Sequence, residues 1–83
     1  MRTDTHITIS LEYEGRQLDL AIPIQVTVNR LIELLDSMFR SNQVFLPENW
    51  KLDVKGKHLH FNGTDFLADY PVANGDIFVV FWD

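Results

Sequence analysis

The sequence contains no cysteine. That excludes disulfides, zinc–thiolate centres, iron–sulfur clusters and thiol catalysis, and leaves the compartment open. No apolar run approaches the ~20 residues that a membrane-spanning helix needs. The start, Met1-Arg2-Thr3-Asp4, carries no apolar stretch of signal-peptide type. These absences predict a cytoplasmic chain without membrane insertion, or a soluble piece of something larger. Basic side chains are few: 7 Lys and Arg against 12 Asp and Glu, a formal charge of −5. Such a chain repels a phosphate backbone on average, so a nucleic-acid partner is not expected. There is no repeat, low-complexity tract or Gly/Ser linker.

The remainder is a globular composition, 46% hydrophobic and 23% charged. Its 83 residues predict one domain, 1–83, with residues 1–5 as a loose end. So short a chain buries only roughly 60% of its unfolded surface. Little room is left for both a core and a deep catalytic cleft.

His6 to Leu11 alternates, with Ile7, Ile9 and Leu11 on one side, and predicts a strand. Glu12 to Arg16 is polar, contains Gly15 and reads as a hairpin loop. Gln17 to Ile22 alternates again, with Leu18, Leu20 and Ile22 inward, until Pro23 stops the pairing. The period then changes. Val28, Leu31, Ile32, Leu35, Met38 and Phe39 fall three and four apart on one helical stripe, with Thr27 as N-cap and Leu34 at the rim. Trp50, Leu52 and Val54 predict a third strand, Lys55-Gly56-Lys57 a tight turn, and His58 to Phe61 a fourth strand with Leu59 and Phe61 inward. Asn62-Gly63-Thr64 and Asn74-Gly75-Asp76 are turn signals, and Phe66 to Tyr70 fits a single helical turn. Ile77 to Trp82 is apolar at every position, as a central strand should be. With the first and last strands side by side and the helix across one face, this is an α+β β-grasp, a mixed sheet with one helix.

The residues also resemble ubiquitin and its relatives from Ile7 to Phe81. Leu67-Ala68-Asp69-Tyr70-Pro71-Val72 resembles ubiquitin's Leu-Ser-Asp-Tyr-Asn-Ile run. Leu52 to Leu59, with Gly56 and Lys57, resembles its third and fourth strands, and Thr27-Val28 with Leu31 and Leu35 its helix start. The chain is more closely similar to the small bacterial ubiquitin-like proteins of type VII secretion systems, the YukD/EsaB type. The shared features are Tyr13-Glu14-Gly15 in the first hairpin, the Lys-Gly-Lys turn, and Asn74-Gly75-Asp76-Ile77 leading into an apolar strand. The resemblance implies an accessory cytosolic secretion component whose partner is a protein of that machinery. One departure from ubiquitin bears on chemistry. Conjugated β-grasp proteins need a flexible Gly-Gly tail, and here Phe81-Trp82-Asp83 comes straight off the last strand. Neither conjugation nor a thiocarboxylate is expected.

The last strand carries the main candidate site. The ubiquitin-like register puts Phe78 and Val80 under the helix and leaves Ile77, Val79 and Phe81 on the open face, flanked by Lys51, Asp53 and Lys55. Such a patch is either a partner-binding surface or apolar ground covered by the Lys51 and Lys55 stems. Asp53 stands where ubiquitin's patch has its central isoleucine, so ubiquitin's own receptors are not expected partners. Lys51, Lys55 and Lys57 form either a basic rim that steers an acidic partner or a lysine-guarded edge. His58 and His60 share one side of their predicted strand, but two imidazoles without a third ligand are more often solvated than metal-bound. Asp65, Asp69 and Asp76 cluster in the loops before the last strand, Asp69 and Asp76 at turn positions where Asp caps backbone amides, and no cleft pairs them for acid–base work. With no phosphate loop or nucleophile elbow, neither an enzyme nor a cofactor is expected. Self-association through the Phe81 patch, or a ubiquitin-like domain from a larger membrane or scaffold protein, is the alternative reading.

Overall fold

A computed structural model describes residues 3–83. Of residues 1–5, expected to be loose, the first two lie outside the described residues, and the Thr5 carbonyl accepts the Ile24 amide at 3.0 Å.

Strand β1 (His6–Tyr13) sends Ile7, Ile9, Leu11 and Tyr13 into the core. It pairs antiparallel with β2 (Arg16–Pro23). The connection is shorter than the sequence suggests. Only Glu14 (φ 46°) and Gly15 (φ 76°) lie outside the ladder. Two successive left-handed residues are the backbone of a type I′ hairpin, whose twist matches that of the strands. The expected loop residues Glu12, Tyr13 and Arg16 therefore belong to the strands. Leu18 and Leu20 are only half-buried, because β2 is the outer strand of the sheet.

Helix α1 (Val28–Ser41) buries Val28, Leu31, Leu35 and Phe39, which lie on the predicted stripe. Thr27 caps it, its hydroxyl oxygen accepting the Arg30 amide at 3.2 Å. The two preceding amides find carbonyls from a distant loop: Val28 donates to Asp65 and Asn29 to Gly63, both at 2.9 Å. Three of the four amides that a helix start leaves unpaired are thus satisfied. Phe39 joins the helix to the sheet, edge-on to Tyr13 at 4.9 Å and to Trp50 at 6.3 Å.

Strand β3 (Lys51–Val54) runs antiparallel to β4 (Ile77–Phe81), and β4 runs parallel to β1. The sheet order is β2-β1-β4-β3. This is the α+β β-grasp, a mixed sheet with one helix. A 3-10 turn, Leu67–Asp69, falls where one helical turn was expected.

The expected fourth strand at His58 to Phe61 does not form. Its turn closes through the Lys57 amide on the Val54 carbonyl, but no ladder follows. Leu59 and Phe61 still pack on the core, and Phe61 stacks on Phe78 with ring centres 6.3 Å apart. Alternation reported the burial of that segment correctly and not its pairing, because an extended chain can bury every second residue without a hydrogen-bonded neighbour. Among the described residues no polar or charged side chain is buried.

Candidate docking face and the ties beneath it

The open face of the sheet is set by the register of β4. Phe78 and Val80 are core residues. Ile77, Val79 and Phe81 point the other way, and Phe81 is 40% exposed. Lys51 lies opposite Phe81 in the ladder, and Asp53 opposite Val79. The six candidate residues are therefore brought together.

They are not equivalent. The Lys55 ammonium donates to the Glu12 carboxylate at 3.4 Å, an ion pair. The Lys55 amide bonds the Ile77 carbonyl, and Glu12 pairs with Val79, so this ion pair spans β4 from β3 to β1. Asp53 is exposed and bonds locally, its carboxylate accepting the amide of the next residue, Val54, at 2.8 Å. Lys51 forms no ion pair among the described residues. Lys51, Asp53, Lys55 and Phe81 are exposed, and Ile77 and Val79 are half-buried. What sets Phe81 and Lys51 apart is an exposed aromatic ring beside a lysine without an ion pair among the described residues.

Lys57 does not belong to a basic rim. Its ammonium donates to the Pro71 carbonyl at 2.6 Å and to Asp76 at 2.8 Å. The same Asp76 oxygen accepts the Ala73 amide at 2.9 Å. Burial pushes the Asp76 carboxyl up, but the Lys57 and Ala73 hydrogen bonds outweigh it and hold the group below its ordinary value of 3.8. Asn74 completes the entry to β4, its side-chain oxygen accepting the Thr8 amide at 2.8 Å.

Asp65 is another tie. It accepts the Tyr70 hydroxyl at 2.9 Å, and that hydroxyl accepts the Asn62 amide at 2.8 Å. The Asn62 amide pulls the phenol pKa down. Desolvation and the Asp65 and Asp69 carboxylates outweigh this and leave it above 10.0. The loop held this way supplies the carbonyls that cap α1. Asp65 and Asp76 thus tie loops through their carboxylates, and Asp69 is the last residue of the 3-10 turn, its backbone amide donating to the Phe66 carbonyl.

His58 and His60 are exposed on the segment that is not a strand, so the strand geometry that would have aligned them is missing. No group of three potential metal ligands occurs among the described residues. Sequence reasoning missed two exposed aromatics, Phe45 (69%) and Phe66 (46%). The signal for Phe45 was available: Val44 and Leu46 pack on the core, which points the residue between them outward. Its ring lies 5.8 Å from the Arg40 guanidinium, a cation–π contact.

Two shallow grooves flank β3 and share Asp53 and Phe81. The larger, about 490 Å³, lies on the α1 side, against Val28, Ile32, Leu59 and Phe61. The other, about 430 Å³, lies on the open face with Lys55 and Val79.

A four-stranded mixed sheet gripping one helix, with its candidate surface on the bare face, defines the ubiquitin-like class. Solved structures agree. Ubiquitin of Caldiarchaeum subterraneum is 28% identical, with a TM-score of 0.65 over 90% of both chains. One protomer of the ESX-3 core complex contains a similar fold at 21% identity and a TM-score of 0.66. That match covers 92% of this chain and only 16% of the other. An uncharacterised protein of Clostridium acetobutylicum is 35% identical over 74 residues, 89% of this chain and 80% of its own. The pattern of the YukD protein of the WXG100 protein secretion system (Wss) matches residues 6–80. The chain belongs to that family. Fold and family are those of non-catalytic modules. Among the described residues no helix is long and apolar enough to cross a membrane.

Proposed function

We propose that the chain is a non-conjugated protein–protein interaction module, an accessory cytoplasmic component of a type VII secretion system. It docks through Phe81 and Lys51 on the open face, with Ile77, Val79, Asp53 and Lys55 as the surround. The observation that carries this is the exposure of Phe81 on a central strand, beside a lysine that forms no ion pair among the described residues. An aromatic anchor next to an unpaired cation suits a partner that offers an apolar pocket edged by carboxylates. The occurrence of a similar fold in a chain of the ESX-3 core complex supports a protein partner within such a complex.

The same finding favours a second reading. There the fold is a small part of a longer chain, so this protein could fill the place of a built-in ubiquitin-like domain. Self-association through Phe81 is a third outcome.

The test is capture. The purified chain is immobilised and exposed to solubilised membranes of its own host, with Phe81→Asp as control, and retained proteins are identified by mass spectrometry. A secretion-system component captured by the wild type and lost with Phe81→Asp supports docking through this face. Equal capture by both chains removes Phe81 from the interface. Retention of the chain alone points to self-association.

A further inference from the structure

Two asparagines precede glycine, Asn62-Gly63 and Asn74-Gly75. At such a step the glycine amide nitrogen is unshielded by any side chain and can attack the asparagine side-chain carbon. The fold treats the two steps differently.

The difference lies in the attacking nitrogen, which at the second step is tied to β1. The Asn74 side-chain oxygen accepts the Thr8 amide at 2.8 Å, and the Gly75 amide donates to the Thr8 carbonyl at 2.9 Å. At the first step the Gly63 amide has no acceptor among the described residues. The Asn62 side-chain oxygen accepts from the Thr64 amide at 3.2 Å and from the Thr64 hydroxyl at 3.1 Å. Two donors converge on the oxygen that gains negative charge when its carbon is attacked, as in an oxyanion hole.

We propose that Asn62 is a self-modification site, converting through a succinimide to aspartate and isoaspartate while Asn74 is protected. The Gly63 nitrogen gives up its proton to solvent base and bonds to the Asn62 Cγ. The Cγ–Nδ2 bond breaks, and Nδ2 leaves as ammonia after taking up a proton from solvent. Water then opens the ring at either carbonyl. No oxidant or cofactor enters.

The consequence falls on the helix. Either product places a carboxylate near Asp65, which already accepts the Tyr70 hydroxyl. Isoaspartate also adds a methylene to the backbone between the Asn62 amide, held by Tyr70, and the Gly63 carbonyl, which caps Asn29. The modification therefore loosens the start of α1 and the wall of the groove that Asn29 and Gly63 line.

The folded protein is held in mildly alkaline buffer and sampled over days, beside the same protein in urea. Peptide mapping follows the replacement of amide by acid at each position, and labelling by an isoaspartyl methyltransferase marks isoaspartate. In the folded protein position 62 converts several-fold faster than position 74, and in urea the two rates converge. Equal rates in the folded protein, or faster loss at position 74, overturn the proposal. Thr64→Ala removes the hydroxyl donor from an exposed residue; it slows conversion at position 62 and leaves position 74 unchanged. An unaltered rate at position 62 in that variant overturns the role given to Thr64.

Discussion

Position 57 could have held one more solvated lysine on an acidic protein. Instead its ammonium is spent on Pro71 and Asp76, and the Ala73 amide shares the same carboxylate oxygen. These bonds fix the chain just before it enters β4, whose register decides which residues face solvent. The Asp76 side chain is only 17% exposed, so the pair is less screened than a surface ion pair. A depressed carboxylate stabilises the fold above its unfolded pKa, and that stability is lost as pH falls through the folded pKa. Asp76→Asn keeps an acceptor and loses the charge, and should cost about 1–2 kcal/mol near neutrality. Urea unfolding of both proteins from about pH 7 down to pH 2 checks this: the gap should close as the wild-type carboxyl protonates. A gap that stays constant would mean that the charge contributes nothing. None of this was legible in the sequence. Lys57 and Asp76 are far apart along the chain, and a Lys-Gly-Lys turn reads the same whether its second lysine is tied or free.

At the scale of elements, periodicity carried most of the fold. The stripe of α1 and the inward residues of β1 and β4 were legible because burial imposes their spacing. Two errors share a cause. The local pattern puts Tyr13 in a loop, whereas it is core, and His58 to Phe61 in the sheet, whereas that segment is unpaired. Element ends depend on partners that a local pattern does not show. The end of α1 illustrates the point. Asn42 folds back, its side chain donating to the Met38 carbonyl at 2.9 Å. Gln43 then adopts φ 61°, which lets the Val44 amide reach the Phe39 carbonyl at 2.8 Å. This is a left-handed helix stop with a side chain where glycine is preferred. Gln43→Gly removes the Cβ strain but loosens the unfolded chain, and should leave a net gain of roughly 0.5–1 kcal/mol. Gln43→Val should lose a similar amount or more, since branching at Cβ worsens the clash. Thermal unfolding of the three proteins orders them Gly, Gln, Val, and any other order would show that the stop is not strained.

For the whole molecule, the question is whether a surface test can be read at all on so small a fold. A chain of this length has a stability of roughly 4–12 kcal/mol, so one badly placed charge can unfold it. Strand β4 offers an internal control, because its neighbours at 80 and 81 face opposite sides of the sheet. Val80 is 5% exposed and packs in the core. A carboxylate there must be desolvated without a partner, a penalty of several kcal/mol. Val80→Asp should therefore lose its cooperative unfolding transition near room temperature. Phe81 is already 40% exposed, so Phe81→Asp gives up only part of its apolar contact and should cost about 1 kcal/mol. The alternation that positions the candidate anchor thus separates loss of fold from loss of binding. Circular dichroism melts of the two variants check it. A folded Val80→Asp chain, or an unfolded Phe81→Asp chain, would reverse the assignment of faces. With the faces as described, loss of capture by Phe81→Asp reports on the interface, because the sheet that presents residue 81 is still intact.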